Sequence, residues 1–185
     1  MLKIGRLMLV LWMCLLVPRT GLATSVLQLS FDEQAADSTA IVLAEVGNHD
    51  IIVNNGRWYT DTTLRVSRVL AGQAPALFNV RLAGGEREGQ KVELPGNAKL
   101  TEGDKIVAMI RFVEGRYYLT ALSQSVWYVQ GDGVKATVAR NLHGLSMNIR
   151  DHSGSVVPAN TSPVEFSTLE ELVQAAQHVE VGSAL

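Results

Sequence analysis

A stretch of alternating side chains constrains the fold of this chain most. The segment from Trp58 to Val69 is rich in aromatic and β-branched residues, and its side chains divide between two alternating faces. A period of two over this length predicts a long strand with one buried face. That face carries Trp58, Thr60, Thr62, Leu64 and Val66, and the opposite face carries Tyr59, Asp61, Thr63, Arg65 and Ser67.

Turn residues separate this strand from other segments of strand length. Asn54-Asn55-Gly56 predicts a tight hairpin turn, because Asn and Gly tolerate positive φ. The most apolar segment after the N-terminus is Lys105–Val113, which should be a central strand. Further strands are predicted at Ala40–Val46, Ile51–Val53, Leu77–Leu82, Gln90–Leu94, Arg116–Ala121, Ser125–Gln130 and Val134–Arg140. About eight short strands predict an all-β fold, a small OB-like barrel or sandwich of short antiparallel strands.

Helices are predicted only near the two ends of this β-rich region. Ser30 and Glu33 form a capping-box pattern before a short helix that ends at Ala36. Apolar residues at helical spacing predict an amphipathic helix over Thr168–Val179, with a second capping box formed by Ser167 and Glu170. Residues 142–166 have weak periodicity and predict a loose excursion with one strand.

The N-terminal segment has the pattern of a secretory signal peptide. Lys3 and Arg6 precede an unbroken apolar run, Leu7–Val17, and Gly21-Leu22-Ala23 places small residues before a cleavage point. An uncleaved anchor is the alternative, but a spanning helix needs about 20 apolar residues. Lipid attachment at Cys14 is disfavoured by the bulky Met13 before it. We expect a secreted or periplasmic protein cleaved after Ala23, or at a second site after Ser25, with no membrane span after cleavage.

Cleavage would change the chemistry available to the mature chain. Removing 23 residues from 185 leaves 162, which we divide into a β-barrel domain at 24–141 and a loop-rich extension at 142–185. Cys14 leaves with the leader, so disulfides and thiolate metal sites are excluded. Lys3, Arg6 and Arg19 leave too, which moves the formal net charge from −2 to −5 and argues against a nucleic-acid partner.

Between residues 31 and 130 the chain contains strand-and-turn stretches at Phe31-Asp32-Glu33 with Ala36–Val46, Tyr59–Val66 with Val69–Gly72, Val80–Gly85, and Glu102–Val107. These stretches resemble a group of uncharacterised exported bacterial proteins. The resemblance implies an OB-type barrel, similar in layout to the netrin and tissue-inhibitor-of-metalloproteinase module. Those inhibitors place an N-terminal cysteine on the catalytic zinc, and the mature chain has no cysteine, so no functional residue is carried over.

No group of residues in the sequence forms a motif that identifies a catalysed reaction. The histidines at positions 49, 143, 152 and 178 lack the spacing of metal ligands. Asp151-His152-Ser153 contains the letters of a hydrolase triad, but three consecutive residues cannot adopt its geometry. Gly84–Gly89 lacks the Gly-Lys-Ser/Thr ending of a phosphate loop and is predicted as a solvated charged loop. We therefore predict no catalytic residue, cofactor or metal site.

Adjacent aromatic pairs are the most suggestive feature. In each pair one ring would face the core and the other would face outward, either as ordinary barrel exterior or as a contact patch. We predict an exported, non-catalytic domain that binds a protein, peptide or glycan. The alternatives are a protease inhibitor or escort that works without metal chelation, and a hydrolase that uses residues 143–153. The candidate partner-binding residues are Trp58, Tyr59, Tyr117, Tyr118, Trp127 and Tyr128.

Overall fold

The computed structural model describes residues 24–143, 145–151, 153–159 and 165–182. The predicted leader, residues 1–23, lies outside the described residues. The described residues form two helices, α1 (Phe31–Ala36) and α2 (Leu169–His178), and short 3-10 turns at Leu122–Ser125 and Gly133–Lys135. The strands are β1 (Thr24–Leu27), β2 (Ala40–Asn54), β3 (Arg57–Gly72), β4 (Leu77–Arg87), β5 (Gln90–Glu93), β6 (Lys105–Val113), β7 (Arg116–Leu119), β8 (Val126–Gln130), β9 (Thr137–Ala139), β10 (Leu145–Arg150) and β11 (Val156–Pro158).

Five of these strands close into a barrel. β2, β3, β4, β7 and β6 lie side by side in that order, and β6 pairs back onto β2. β4 and β7 are parallel, and the other neighbours in the barrel are antiparallel. Register shifts along β2 let this long strand curve from one side of the barrel to the other. The predicted all-β, OB-like fold is confirmed, and Lys105–Val113 is central as predicted, because β6 pairs with β2, β7 and β8.

The barrel interior is filled by alternate residues of its strands. Leu64 on β3 and Val80 on β4 are fully buried there, as the alternation of the sequence predicts. Ile106, Ala108 and Ile110 of β6 face the same interior. Burying one of the leucine, isoleucine or valine side chains stabilises the fold by about 1.5–3 kcal/mol.

A second core lies on the outer face of β2, β6 and β8. Val107 and Met109 of β6 point outward into it, and the two helices cover it with Phe31 of α1 and Leu172 of α2. Both helices begin with a complete capping box, at Ser30 with Glu33 and at Thr168 with Glu171. The first matches the prediction, and the second begins one residue later than Ser167, the predicted cap.

The first described strand joins two strands from the region between β9 and α2 in a separate three-stranded sheet. β1 pairs in parallel with β10, with Thr24 opposite Leu145, and β10 pairs with β11. Gln124 holds the incoming chain, since its Oε1 accepts from Leu29 N at 3.2 Å and its Nε2 donates to Leu27 O at 3.1 Å. The prediction of a loose excursion with one strand is therefore wrong, since this region contributes both β10 and β11.

The segment Gly84–Gly89 is a hairpin and not the predicted loop. Gly84 pairs with Glu93 and Gly85 with Val92, so β4 continues to Arg87 before it turns into β5. Gly84 has a φ of 93°, and a Cβ there would lie 2.3 Å from the carbonyl oxygen of Val92. Glycine at this position lets β4 and β5 approach each other closely. The glycines that suggested a loop are therefore part of a strand pair.

Candidate binding face of the barrel

The outer surface of the barrel has two different sides. The helices cover the side formed by β2, β6 and β8. On the other side, the outward residues of the N-terminal half of β3 and those of β4 and β7 pack under no helix in the described part of the chain. We call this uncovered side the β3–β4–β7 face.

A bidentate ion pair lies at the centre of the β3–β4–β7 face. Asp61 of β3 and Arg81 of β4 are opposite each other in the strand register. Arg81 Nε donates to Asp61 Oδ1 at 2.6 Å, and Nη2 donates to Oδ2 at 2.6 Å. The side chains are only 9% and 13% exposed. The hydrogen bond to Asp61 is the main cause that raises the pKa of Arg81 above its ordinary value.

Aromatic side chains flank this ion pair. Arg81 Cζ lies 5.2 Å from the centroid of the Tyr59 ring, within the range of a cation–π contact. Tyr118 of β7 lies on the same side, because its neighbour Tyr117 points into the barrel, and it contributes to the raised pKa of Arg81. Tyr59 and Tyr118 are both half-buried, so each keeps surface available to solvent.

Polar groups and a shallow depression border the ion pair. Two register positions from the ion pair, on the same face, Thr63 Oγ1 donates to Asn79 Oδ1 at 3.0 Å. A depression of about 280 Å³ opens beside Asp61 and Arg81 and is bounded by the β6–β7 turn at Gly115.

In OB folds, the face of the second and third strands and the loop between the fourth and fifth are common binding elements. β3, β4 and the β6–β7 turn occupy those positions.

The structure separates the six aromatic residues singled out in the sequence. Trp127 is 1% exposed and packs in the second core, 5.9 Å from the ring of Phe31, so it is not available to a partner. Tyr128 is half-buried at the barrel end, where its hydroxyl donates to Lys99 O at 2.9 Å and burial raises its pKa.

The remaining aromatic pairs divide between the two sides of the barrel wall. Tyr117 packs between Phe78 and Phe112, with ring centroids 4.4 and 4.7 Å away. Trp58 is half-buried on the inward side of β3. Only Tyr59 and Tyr118 of the predicted set come together on the β3–β4–β7 face.

Sequence reasoning did not single out Asp61 and Arg81 as site residues. The alternation in β3 places Asp61 on the same face as Tyr59, and the alternation in β4 places Arg81 opposite the core residues. Those patterns identify outward positions. The missing information was the register, which brings Asp61 directly opposite Arg81.

The segment 143–153 does not form a catalytic arrangement in its described residues. Asp151 accepts hydrogen bonds from Ser153 Oγ at 2.6 Å, Ser153 N at 2.8 Å and Ser155 N at 2.9 Å, as in an Asx turn. The Ser153 hydroxyl is the main cause that holds the pKa of Asp151 below its ordinary value. His143 is exposed beside a groove of about 490 Å³ under the β4–β5 hairpin, and His152 lies outside the described residues.

Comparisons with protein-family models, curated proteins and solved structures find no match. Across the described residues, no cluster of three or more His, Cys, Asp or Glu side chains is arranged to hold a metal ion. None of the helices in that part of the chain has the length and apolar character needed to cross a membrane.

Proposed function

We propose that this protein is an exported, non-catalytic binding domain, and that its β3–β4–β7 face contacts a protein, peptide or glycan partner. One observation carries the proposal: a nearly buried Asp61–Arg81 ion pair is flanked by Tyr59 and Tyr118 on a side of the barrel that no described helix covers. Export is supported by the signal-peptide pattern of residues 1–23, which precede the described residues.

Arg81 is suited to contact a partner because its position is already fixed. A guanidinium has five N–H donors, and Asp61 accepts two of them. The bidentate contact locks the long side chain, so little further rotamer entropy is lost when the remaining donors meet an acceptor. A partner carbonyl, hydroxyl or carboxylate beside the depression would find these donors in a preorganised position.

Tyr59 and Tyr118 add apolar contact area at small entropic cost. A tyrosine ring has two side-chain torsions, and Tyr59 is further restrained by its contact with Arg81. The ring faces can pack against apolar groups of a peptide or the C–H faces of a sugar, while the hydroxyls bond to polar groups. Aromatic and arginine side chains are enriched among residues that dominate binding energy.

A binding comparison with matched variants tests this proposal. The protein obtained by expressing the full chain would be immobilised and exposed to a panel of cell-envelope glycans and to the exported protein fraction. We expect the double variant Tyr59→Ala/Tyr118→Ala to lose binding at least about tenfold, because truncating one central aromatic typically costs more than 1 kcal/mol.

The control is Trp58→Leu, which truncates the neighbouring aromatic residue on the opposite side of β3. It should bind like the unmodified protein. Equal binding by the double variant and the control would exclude the β3–β4–β7 face as the site. Turnover of an ester, peptide or glycan substrate by the purified protein would contradict the non-catalytic assignment.

A further inference from the structure

We infer that the free edge of β2 pairs with the same edge of a second copy of this chain, which gives a symmetric dimer centred on Ile52. This inference goes beyond the proposed function and does not depend on which partner the β3–β4–β7 face contacts. It rests on the pairing of β2, the direction of its backbone groups and the residues that its edge presents.

One half of β2 has a strand neighbour on only one side. β2 pairs with β6 over Ala40–Glu45, whereas its pairing with β3 continues to Asn54 opposite Arg57. Within the described chain, the segment from His49 to Asn54 therefore has β3 on one side and no strand on the other. Such an edge presents unpaired backbone groups that can template another strand.

The hairpin turn determines which backbone groups point away from β3. Asn55 and Gly56 have φ values of 49° and 73°, the positive pair of a two-residue type I′ turn. The flanking pair Asn54–Arg57 is then hydrogen-bonded, and hydrogen-bonded and non-bonded pairs alternate down the ladder. It follows that Ile51 and Val53 direct their N–H and C=O groups outward, along the free edge.

The side chains of this edge lack the usual protection against pairing. Natural sheets protect their edges with charged residues, especially Lys. β5, the edge strand of the β4–β5 hairpin, follows this rule, since Lys91 and Glu93 form an ion pair at 3.2 Å along it. The free segment of β2 instead presents three consecutive apolar residues, Ile51-Ile52-Val53, and Val53 is 49% exposed.

The edge is complementary to itself in one antiparallel register. With Ile52 opposite Ile52 of the second copy, Ile51 lies opposite Val53, and these are the residues whose backbone groups point outward. All three apolar residues then meet apolar residues. Asp50, the one acidic residue of the edge segment from His49 to Asn54, lies opposite the neutral Asn54, so no like charges face each other. A shift by two residues would place Asp50 opposite Ile52 and His49 opposite Val53.

This register has a consequence for the β3–β4–β7 face. The two-fold axis passes between the two copies of Ile52, perpendicular to the sheet. Equivalent faces of the two copies therefore lie on the same side of the joined sheet. Ile52 is opposite Tyr59 in the β2–β3 ladder. The dimer therefore presents two copies of the Tyr59–Arg81 cluster side by side, and a repetitive partner could contact both with increased avidity.

Sedimentation equilibrium over a range of concentrations tests the dimer. It compares the dimer dissociation constant of the protein from the full chain with those of the variants Val53→Pro and Val53→Thr. Proline removes an outward N–H and is tolerated at such an edge position, whereas threonine keeps the N–H and the β-branched shape. By symmetry Val53→Pro removes two hydrogen bonds, so we expect the dimer dissociation constant to rise about thirtyfold, with an unchanged thermal unfolding midpoint. Val53→Thr should stay close to the unmodified protein.

Cysteine crosslinking provides a second measurement of the register, in a Cys14→Ser background that has no other cysteine. Ile52→Cys should form an intermolecular disulfide, because opposed residues of a non-hydrogen-bonded pair have Cα atoms about 4.5 Å apart. Val53→Cys is the control, since the two copies of that residue are separated by two positions along the strands. A monomer at all concentrations would overturn the inference, as would a dimer insensitive to Val53→Pro or equal crosslinking of both cysteine variants.

Discussion

At the scale of single residues, the Asp61–Arg81 pair is the least expected feature of the barrel. Charged side chains are rarely buried unless they are paired, and here the side chain of Arg81 is 9% exposed and that of Asp61 is 13% exposed. Removing one partner of such a pair leaves an uncompensated charge, whereas replacing both by apolar residues can be nearly neutral. The energetic test of the pair is therefore a comparison of single and double variants.

We predict that Asp61→Leu destabilises the protein by about 3 kcal/mol, because it leaves the guanidinium of Arg81 desolvated and unpaired. The double variant Asp61→Leu/Arg81→Met should recover most of this loss. Urea unfolding of both variants measures the difference. If the single variant is as stable as the double variant, Arg81 reaches solvent when Asp61 is absent and the site is not preorganised.

At this scale, the sequence pattern predicts on which face of a strand a side chain lies, but not what packs against that face. It correctly assigns Leu64 to the interior and Asp61 to the opposite face, because side chains alternate along a strand. It does not predict that Trp127 is buried. Trp127 does point out of the barrel, but α1 and Phe166 cover it, and that cover depends on packing between segments far apart in the sequence.

At the scale of elements, the helices are the parts that local sequence predicts best. α1 and α2 each carry their own start signal, so their existence does not depend on distant contacts. The position of the α2 cap is less certain from sequence, because Ser167 and Thr168 each precede a glutamate by three residues and the pattern fits both. Thr168 serves as the cap, since its Oγ1 accepts from Glu171 N at 3.2 Å and the Glu171 carboxylate accepts from Thr168 N at 3.2 Å.

We predict that Thr168→Ala lowers the free energy of unfolding by about 1 kcal/mol through loss of the helix cap. Ser167→Ala is the matched control, because the Ser167 hydroxyl donates to Glu171 but does not accept from the helix backbone. Ser167→Ala should have the smaller effect in chemical unfolding. The reverse order would assign the cap to Ser167 after all.

The same cap predicts a pH dependence. Hydrogen bonds from the Ser167 and Thr168 backbone lower the pKa of Glu171 in the folded protein. Because the folded pKa is depressed, the stabilisation is fully present above the unfolded value, about 4.3 for glutamate, and is lost as pH falls through the lower folded value. The stability difference between the unmodified protein and Glu171→Gln should thus shrink on acidification. A difference that does not change between neutral and acidic pH would contradict this role.

The pairing of β1 with β10 shows the limit of local prediction. β1 pairs with β10 although Thr24 and Leu145 are far apart in the sequence. Nothing local to either strand specifies that partner. The pairing depends on the folded barrel, because Gln124, which holds Leu27 and Leu29, belongs to the 3-10 turn between β7 and β8.

At the scale of the whole molecule, two cores share the same strands. In β6, Ile106, Ala108 and Ile110 fill the barrel, while Val107 and Met109 fill the core beneath the helices. If β6 separates from one core during unfolding, it also separates from the other. The barrel and its helical cover should therefore unfold together, although they occupy opposite sides of the wall.

We predict that Leu172→Ala, which truncates a fully buried side chain of α2, lowers the free energy of unfolding by about 2–5 kcal/mol without separating the transition into two. Trp127 fluorescence in a Trp12→Phe/Trp58→Phe background, which leaves Trp127 as the only tryptophan, reports the helix-covered core, and hydrogen exchange of β4 amides reports the barrel. Both should shift by the same amount, because the shared strands couple the two cores. Earlier loss of the Trp127 signal, with β4 still protected, would show that the helical cover opens independently, and the cooperative description would then fail.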